Sequence, residues 1–146
     1  TRVYSHLWSG ARDDNHYPII NLDTEHHTLT HDGKAAEAGQ VQVYIMEQYA
    51  HLAQTLKNTT IGASNLLDQT IIYGISDVAE PKDHIMTNYH IVLMGHAGGA
   101  IPGNRHIRKP GNKVTELMLS LQQVMGMNIT EYGTWDRTSS PLDDIL

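Results

Sequence analysis

Histidines and carboxylates crowd two stretches of this 146-residue chain at spacings suited to metal ligation. In the stretch DTEHHTLTHDG, Asp23 and His27 are four apart, and so are His27 and His31. If the segment is helical, spacing four places the members of each pair on one face. A carboxylate with imidazoles then suits zinc or another divalent transition metal. The plain alternative is a histidine-rich surface turn. The second stretch follows an apolar run, Thr70–Ile75, and holds Ser76, Asp77, Glu80, Asp83 and His84. Asp77 comes directly after that run. It is a candidate ligand, or an Asp that caps its own loop by accepting a backbone N–H. His84 and His90 lie within reach of the same loop. A third polar stretch, after His90–Met94, carries His96, a Gly-Gly pair, Asn104, Arg105 and His106. Its GxxGG spacing is not that of a P-loop, and no Lys-Ser/Thr pair follows. Ser76, Thr28 and Thr30 have hydroxyls, but nothing adjacent marks one as an activated nucleophile.

These groups must be held by elements that the apolar pattern foretells. Thr70–Ile75 and His90–Met94 are short, rich in β-branched residues and bounded by polar residues or glycine, the pattern of buried strands in an α/β sheet. Ligands in such sheets bind beyond the carboxyl ends of the strands, so the loops after these two runs are where a site is expected. Val41, Ile45, Tyr49, Leu52 and Leu56 form one stripe and predict a helix from Ala35 to about Lys57. Gly39 weakens its first turns by roughly 1 kcal/mol relative to Ala. A second helix is expected from about Lys113 to Met125, with Asn112 as N-cap and Gly126 as the C-terminal stop. Its core stripe is Val114, Leu117, Met118, Leu121, Val124 and Met125. Pro18–Leu22 reads as a short strand or an extended segment. Residues 1–22 read as an irregular leader, and 23–146 as the C-terminal portion of a larger α/β domain. Two clear strands make a small sheet, since sheets usually have about four to six. Either further short strands lie unrecognised within this chain, or other strands come from the rest of a longer chain or from another subunit.

The composition narrows the classes. A formal net charge of −6 argues against a dedicated nucleic-acid binder, for which a basic face is expected. The local exception is Arg105, Arg108, Lys109 and Lys113, which reads as an anion site or a solvated edge. No run approaches the ~18 apolar residues of a membrane helix. With no cysteine, disulfides, thiolate nucleophiles and Cys-type zinc sites are excluded. Ten histidines are the compositional oddity. His6, His16 and His51 are expected to be structural or exposed, and Trp8 and Trp135 to pack or to recognise something. The sequence opens on Thr1 rather than Met, which is expected of a processed chain or a piece of a longer one.

The ordered motifs then suggest a relationship. His27-Thr28-Leu29-Thr30-His31 resembles the core of the HXXSHH family, exported bacterial proteins of unknown function, with Asp32 where that motif ends in a further histidine. Leu66–Thr70 is similar to the family's approach to a strand, Tyr73–Asp77 to its tyrosine-glycine-serine and aspartate segment, and Gly103–His106 to its Gly-x-Arg-His. Met94–Gly99 resembles its glycine-rich turn, and His84 and Asn88 fall where it has His and Asn. The resemblance runs from Asp23 to the end of the chain. It implies a distant likeness to the alkaline phosphatase and sulfatase superfamily, and so an α/β/α sandwich of which this chain is the C-terminal part. It implies divalent metal, zinc foremost, on some of Asp23, His27, His31, Asp77 and His84, with Arg105 on the anion of a phosphate or sulfate ester. The nucleophile would lie elsewhere in a longer exported protein. Val78 stands where an alkaline phosphatase has the His of an Asp-His pair. The rival expectation is a non-catalytic exported binding or assembly protein whose histidines are structural.

Overall fold

The computed structural model describes residues 3–146, so the first two residues of the expected leader lie outside it. Helices and small sheets are mixed along the chain. Helix α1 is His26–His31, α2 is Ala35–Asn58 and α3 is Val114–Val124. Strands β1 (Thr60–Ile61) and β2 (Ser64–Asn65) pair antiparallel, and β3 (Ile72–Ile75) lies beside β4 (Ile91–Met94) in a second two-stranded sheet. No helix of the described residues is long and apolar enough to cross a membrane.

The chain divides into two compact units. The first comprises 1–52 and 75–91, the second 53–74 and 92–146. The core of the first is Tyr17, Leu29, Ala38 and Val41, with Ile20, Leu22, Tyr44 and Ile45 packed around it. The leader expected over 1–22 is irregular, yet it is no loose appendage. Tyr17 is only 5 % exposed and Asp13 only 8 %. Pro18–Leu22 is not a strand. Pro18–Ile20 forms a 3-10 turn, Asn21 takes a left-handed φ of 60°, and Tyr17 and Leu22 bridge across it. Proline presets φ for such a turn and has no N–H for a ladder, which decides against the extended form. Trp8 is partly exposed, meets the ring of Tyr44 edge-on, and points its indole N–H at the Tyr17 hydroxyl, 3.4 Å away.

The stripe read for α2 is only half used. Val41 is fully buried, whereas Leu52 is 44 % exposed. The strands are likewise half-buried rather than enclosed, because each has a single neighbour.

In the second unit α3 is the centre. Leu117, Leu119, Ser120 and Leu121 are buried, so apolar cover extends round the helix beyond the expected stripe, while Met125 is exposed. Lys113, not Asn112, is the N-cap, and the Glu116 carboxylate accepts its backbone N–H at 3.2 Å. At the other end the Gly126 N–H bonds Gln123 O and the Met127 N–H bonds Gln122 O, the paired bonds of a Schellman stop. Gly126 takes the required left-handed φ, 85°. The segment 142–146 docks on this unit. The Leu142 N–H reaches Ser120 Oγ at 2.6 Å, and Ile145 is buried. Trp135, in the turn before that segment, is fully exposed.

Candidate functional site

The site lies in the first unit, on α1 and the loop after β3. Helix α1 is short, and its start is held from outside. The His26 N–H bonds Asn15 O at 3.1 Å and the His27 N–H bonds Asp13 O at 2.9 Å, so two of its unpaired donors are satisfied by the 13–15 loop. Leu29, 1 % exposed, anchors the helix in the core. Spacing four then places His27 and His31 on one face. Their rings stand 4.6 Å apart between centroids at 61°. A third imidazole joins from a distant segment, the His84 ring lying 5.3 Å from that of His31 at 83°. His27 is half-buried, and His31 and His84 are exposed.

His84 sits on a tight loop. Glu80 and Ile85 bridge antiparallel, with Ala79 N–H to Ile85 O at 2.8 Å and Ile85 N–H to Glu80 O at 3.0 Å. The Glu80 carboxylate accepts the backbone N–H of Lys82 at 3.1 Å and of Asp83 at 2.8 Å. The Asp83 N–H foremost, against slight desolvation, and then the Lys82 N–H and the charges of Lys82 and His31 hold this carboxyl below its ordinary range. His84 follows with a left-handed φ of 54°.

The structure therefore gathers His27, His31 and His84. It does not bring Asp23 or Asp77 to them. Asp23 precedes α1, so spacing four from His27 places the two on no common helix face, and its carbonyl accepts from His16 Nδ1. The Asp77 side chain accepts from Ser76 Oγ at 3.3 Å, and its carbonyl accepts the Tyr89 hydroxyl at 2.8 Å. Arg105, expected on an anion, donates to the carbonyls of Asp144 and Leu146 in the second unit. Of its basic neighbours, Lys109 pairs with Asp144 and Lys113 with Asp136. The glycine-rich bend is structural too. A Cβ on Gly95 would lie 2.1 Å from Thr70 O, and the Gly98 N–H bonds Asp68 O at 2.7 Å.

Three imidazoles suit zinc, copper or nickel rather than calcium or magnesium. With zinc–nitrogen bonds of ~2.0–2.1 Å and tetrahedral angles, ring centroids on one ion stand about 5 Å apart. The observed 4.6 Å for His27–His31 and 5.3 Å for His31–His84 fit that spacing, while among the described residues His27 and His84 make no ring contact with each other. Among the described residues no three such donors already converge as they would around an ion, so binding requires the exposed rings to turn.

One buried polar group escaped sequence reasoning. Asp13 Oδ2 accepts from His26 Nδ1 at 2.8 Å and from the Tyr17 hydroxyl at 3.0 Å, while Oδ1 accepts the Asn15 N–H at 3.1 Å. Burial pushes the Asp13 carboxyl up, but the bonds from His26, the Asn15 N–H and Tyr17 outweigh it and hold the carboxyl below its ordinary range. Burial, with the Asp13 carboxylate adding to it and the Trp8 N–H opposing, pushes the Tyr17 phenol up. Only the Asp13-Asp14-Asn15 polar run hinted at this network, and its partner in α1 is remote in sequence. Compared with protein-family models, curated proteins and solved structures, the chain matches none.

Proposed function

We propose that this chain is the metal-binding portion of an exported protein of the kind its HXXSHH-like motifs imply, and that His27, His31 and His84 hold a divalent transition metal, zinc foremost. The single observation that carries the reading is the unbroken contact of three imidazoles from two distant segments. Imidazole rings in water gain little by clustering, whereas a shared ion gives them a common partner. On this reading the remaining strands of an α/β/α sandwich come from the rest of a longer chain or from another subunit. Held by His27, His31 and His84, such an ion would supply polarisation of a phosphate or sulfate ester and stabilisation of the leaving oxygen. The chain's own residues bind and orient. Helix α1 fixes two rings at one spacing, and the 80–85 loop supplies the third.

A second reading, a non-catalytic binding or assembly protein whose histidines are structural, is favoured by one observation: Asp77 is engaged by Ser76 rather than by the imidazoles. Elemental analysis of untagged protein, followed by zinc titration, tests the metal claim, which the first reading makes and the second does not. About one equivalent is expected, lost when His27 and His84 are both replaced by alanine. Metal-free protein that takes up no zinc overturns it. Hydrolysis of simple phosphate and sulfate esters by the zinc-loaded full-length protein separates the two readings.

A further inference from the structure

We propose that Glu80 is a positioning residue for the imidazole cluster, its carboxylate holding the 80–85 loop in the shape that carries the His84 ring to His31. The functional meaning of this inference rests on the metal-binding reading, while the loop geometry is independent of it.

Pro81 has no N–H, so the next two backbone donors in the loop are those of Lys82 and Asp83. Glu80 takes both, one on each oxygen: Lys82 N–H on Oε1 at 3.1 Å and Asp83 N–H on Oε2 at 2.8 Å. Those two bonds fold the chain back just before His84, which then adopts a φ of 54°. Left-handed backbone is disfavoured for a residue with a Cβ and persists where its surroundings impose it. The bridge between Glu80 and Ile85 closes the loop on the other side. The result is an imidazole set 5.3 Å from that of His31. A carboxylate that acted only as a general surface cap would leave the His84 ring where it is when removed.

The test compares wild type with Glu80→Ala, Glu80→Gln and His84→Ala. In metal-free protein, long-range proton–nitrogen spectra report the surroundings of each imidazole. Glu80→Ala is expected to move the His84 and His31 signals and to leave those of His51 and His96 in place. Cobalt(II) titration then reads function. Affinity is expected to fall about tenfold or more in Glu80→Ala, the range seen when groups that orient metal ligands are lost. Its cobalt absorption should approach that of His84→Ala. Glu80→Gln keeps one acceptor oxygen, so it should lie between, and it remains informative if the alanine variant fails to fold. Unmoved His84 signals in folded Glu80 variants overturn the inference. If wild type binds no cobalt while the signals still move, the metal reading fails and the positioning of His84 by Glu80 stands.

Discussion

Single residues decide more here than their neighbours in sequence suggest. Asp13 is the clearest case. It is buried, it accepts bonds from a backbone N–H, a phenol and an imidazole, and its carboxyl is held below the ordinary range. A carboxyl with a depressed folded pKa contributes stability above its unfolded pKa and loses it as pH falls through the folded one. Urea unfolding of Asp13→Asn should therefore show a loss of about 2 kcal/mol near neutral pH that shrinks on acidification below the carboxylate range, whereas wild type weakens steadily across that interval. A constant deficit at all pH values would contradict this. The importance of Asp13 was not legible beforehand, because hydrogen-bond networks between remote segments leave no periodic trace. His27 and His31 were legible because their spacing already implied a shared face. Asp23 misled for the same reason: the four-residue rule fails where the helix has not yet begun. Gly95 belongs at this scale too. With φ at 93° and a neighbouring carbonyl 2.1 Å from where its Cβ would lie, Gly95→Ala should cost about 3 kcal/mol or prevent folding. Gly99→Ala, with open space at its Cβ position, should cost about 1 kcal/mol by thermal unfolding.

Among the elements, the two long helices were foreseen to within a residue or two, because an apolar stripe at period 3.6 is a strong local signal. What the stripe did not show was how much of it would be covered. Leu52 stays exposed on α2, and Leu119, off the expected stripe, is fully buried on α3. Cover depends on segments that arrive from elsewhere. The 142–146 segment is one of these, and it gives Arg105 its role. The guanidinium donates to two carbonyls of that segment, and Lys109 pairs with Asp144. Arg105→Ala should free the segment, seen as faster hydrogen exchange at Leu142 and Ile145 with α3 itself little changed. If exchange there stays slow, Ser120 and the buried Ile145 side chain suffice to hold it.

For the whole molecule, the division into two units makes the metal reading directional. All three imidazoles belong to the first unit. An ion that binds only the folded form stabilises it by RT ln(1 + [L]/Kd), about 2.7 kcal/mol at a hundredfold excess over Kd. Zinc should therefore slow exchange in 13–45 and 79–91, and a chelator should reverse this, while protection around α3 stays constant. Equal gains in both units would point to nonspecific binding by the remaining histidines. The mixed helix-and-strand class was readable from the sequence. The division was not, since the first unit takes in 75–91, a segment that a chain-order reading assigns to the strands on either side.

The two tryptophans give the molecule a built-in optical asymmetry. Trp8 packs against Tyr44 and Tyr17 in the first unit, whereas Trp135 stands fully in solvent in the second. Indole emission shifts when its surroundings change polarity, and the Trp135 indole is in water before and after unfolding. A fluorescence trace of this protein is accordingly a record of the first unit. Acrylamide should quench one emitter almost as freely as it quenches the free amino acid and the other less. A single Trp135→Phe change would leave a clean reporter beside the Asp13 network, through which events at α1 can be timed.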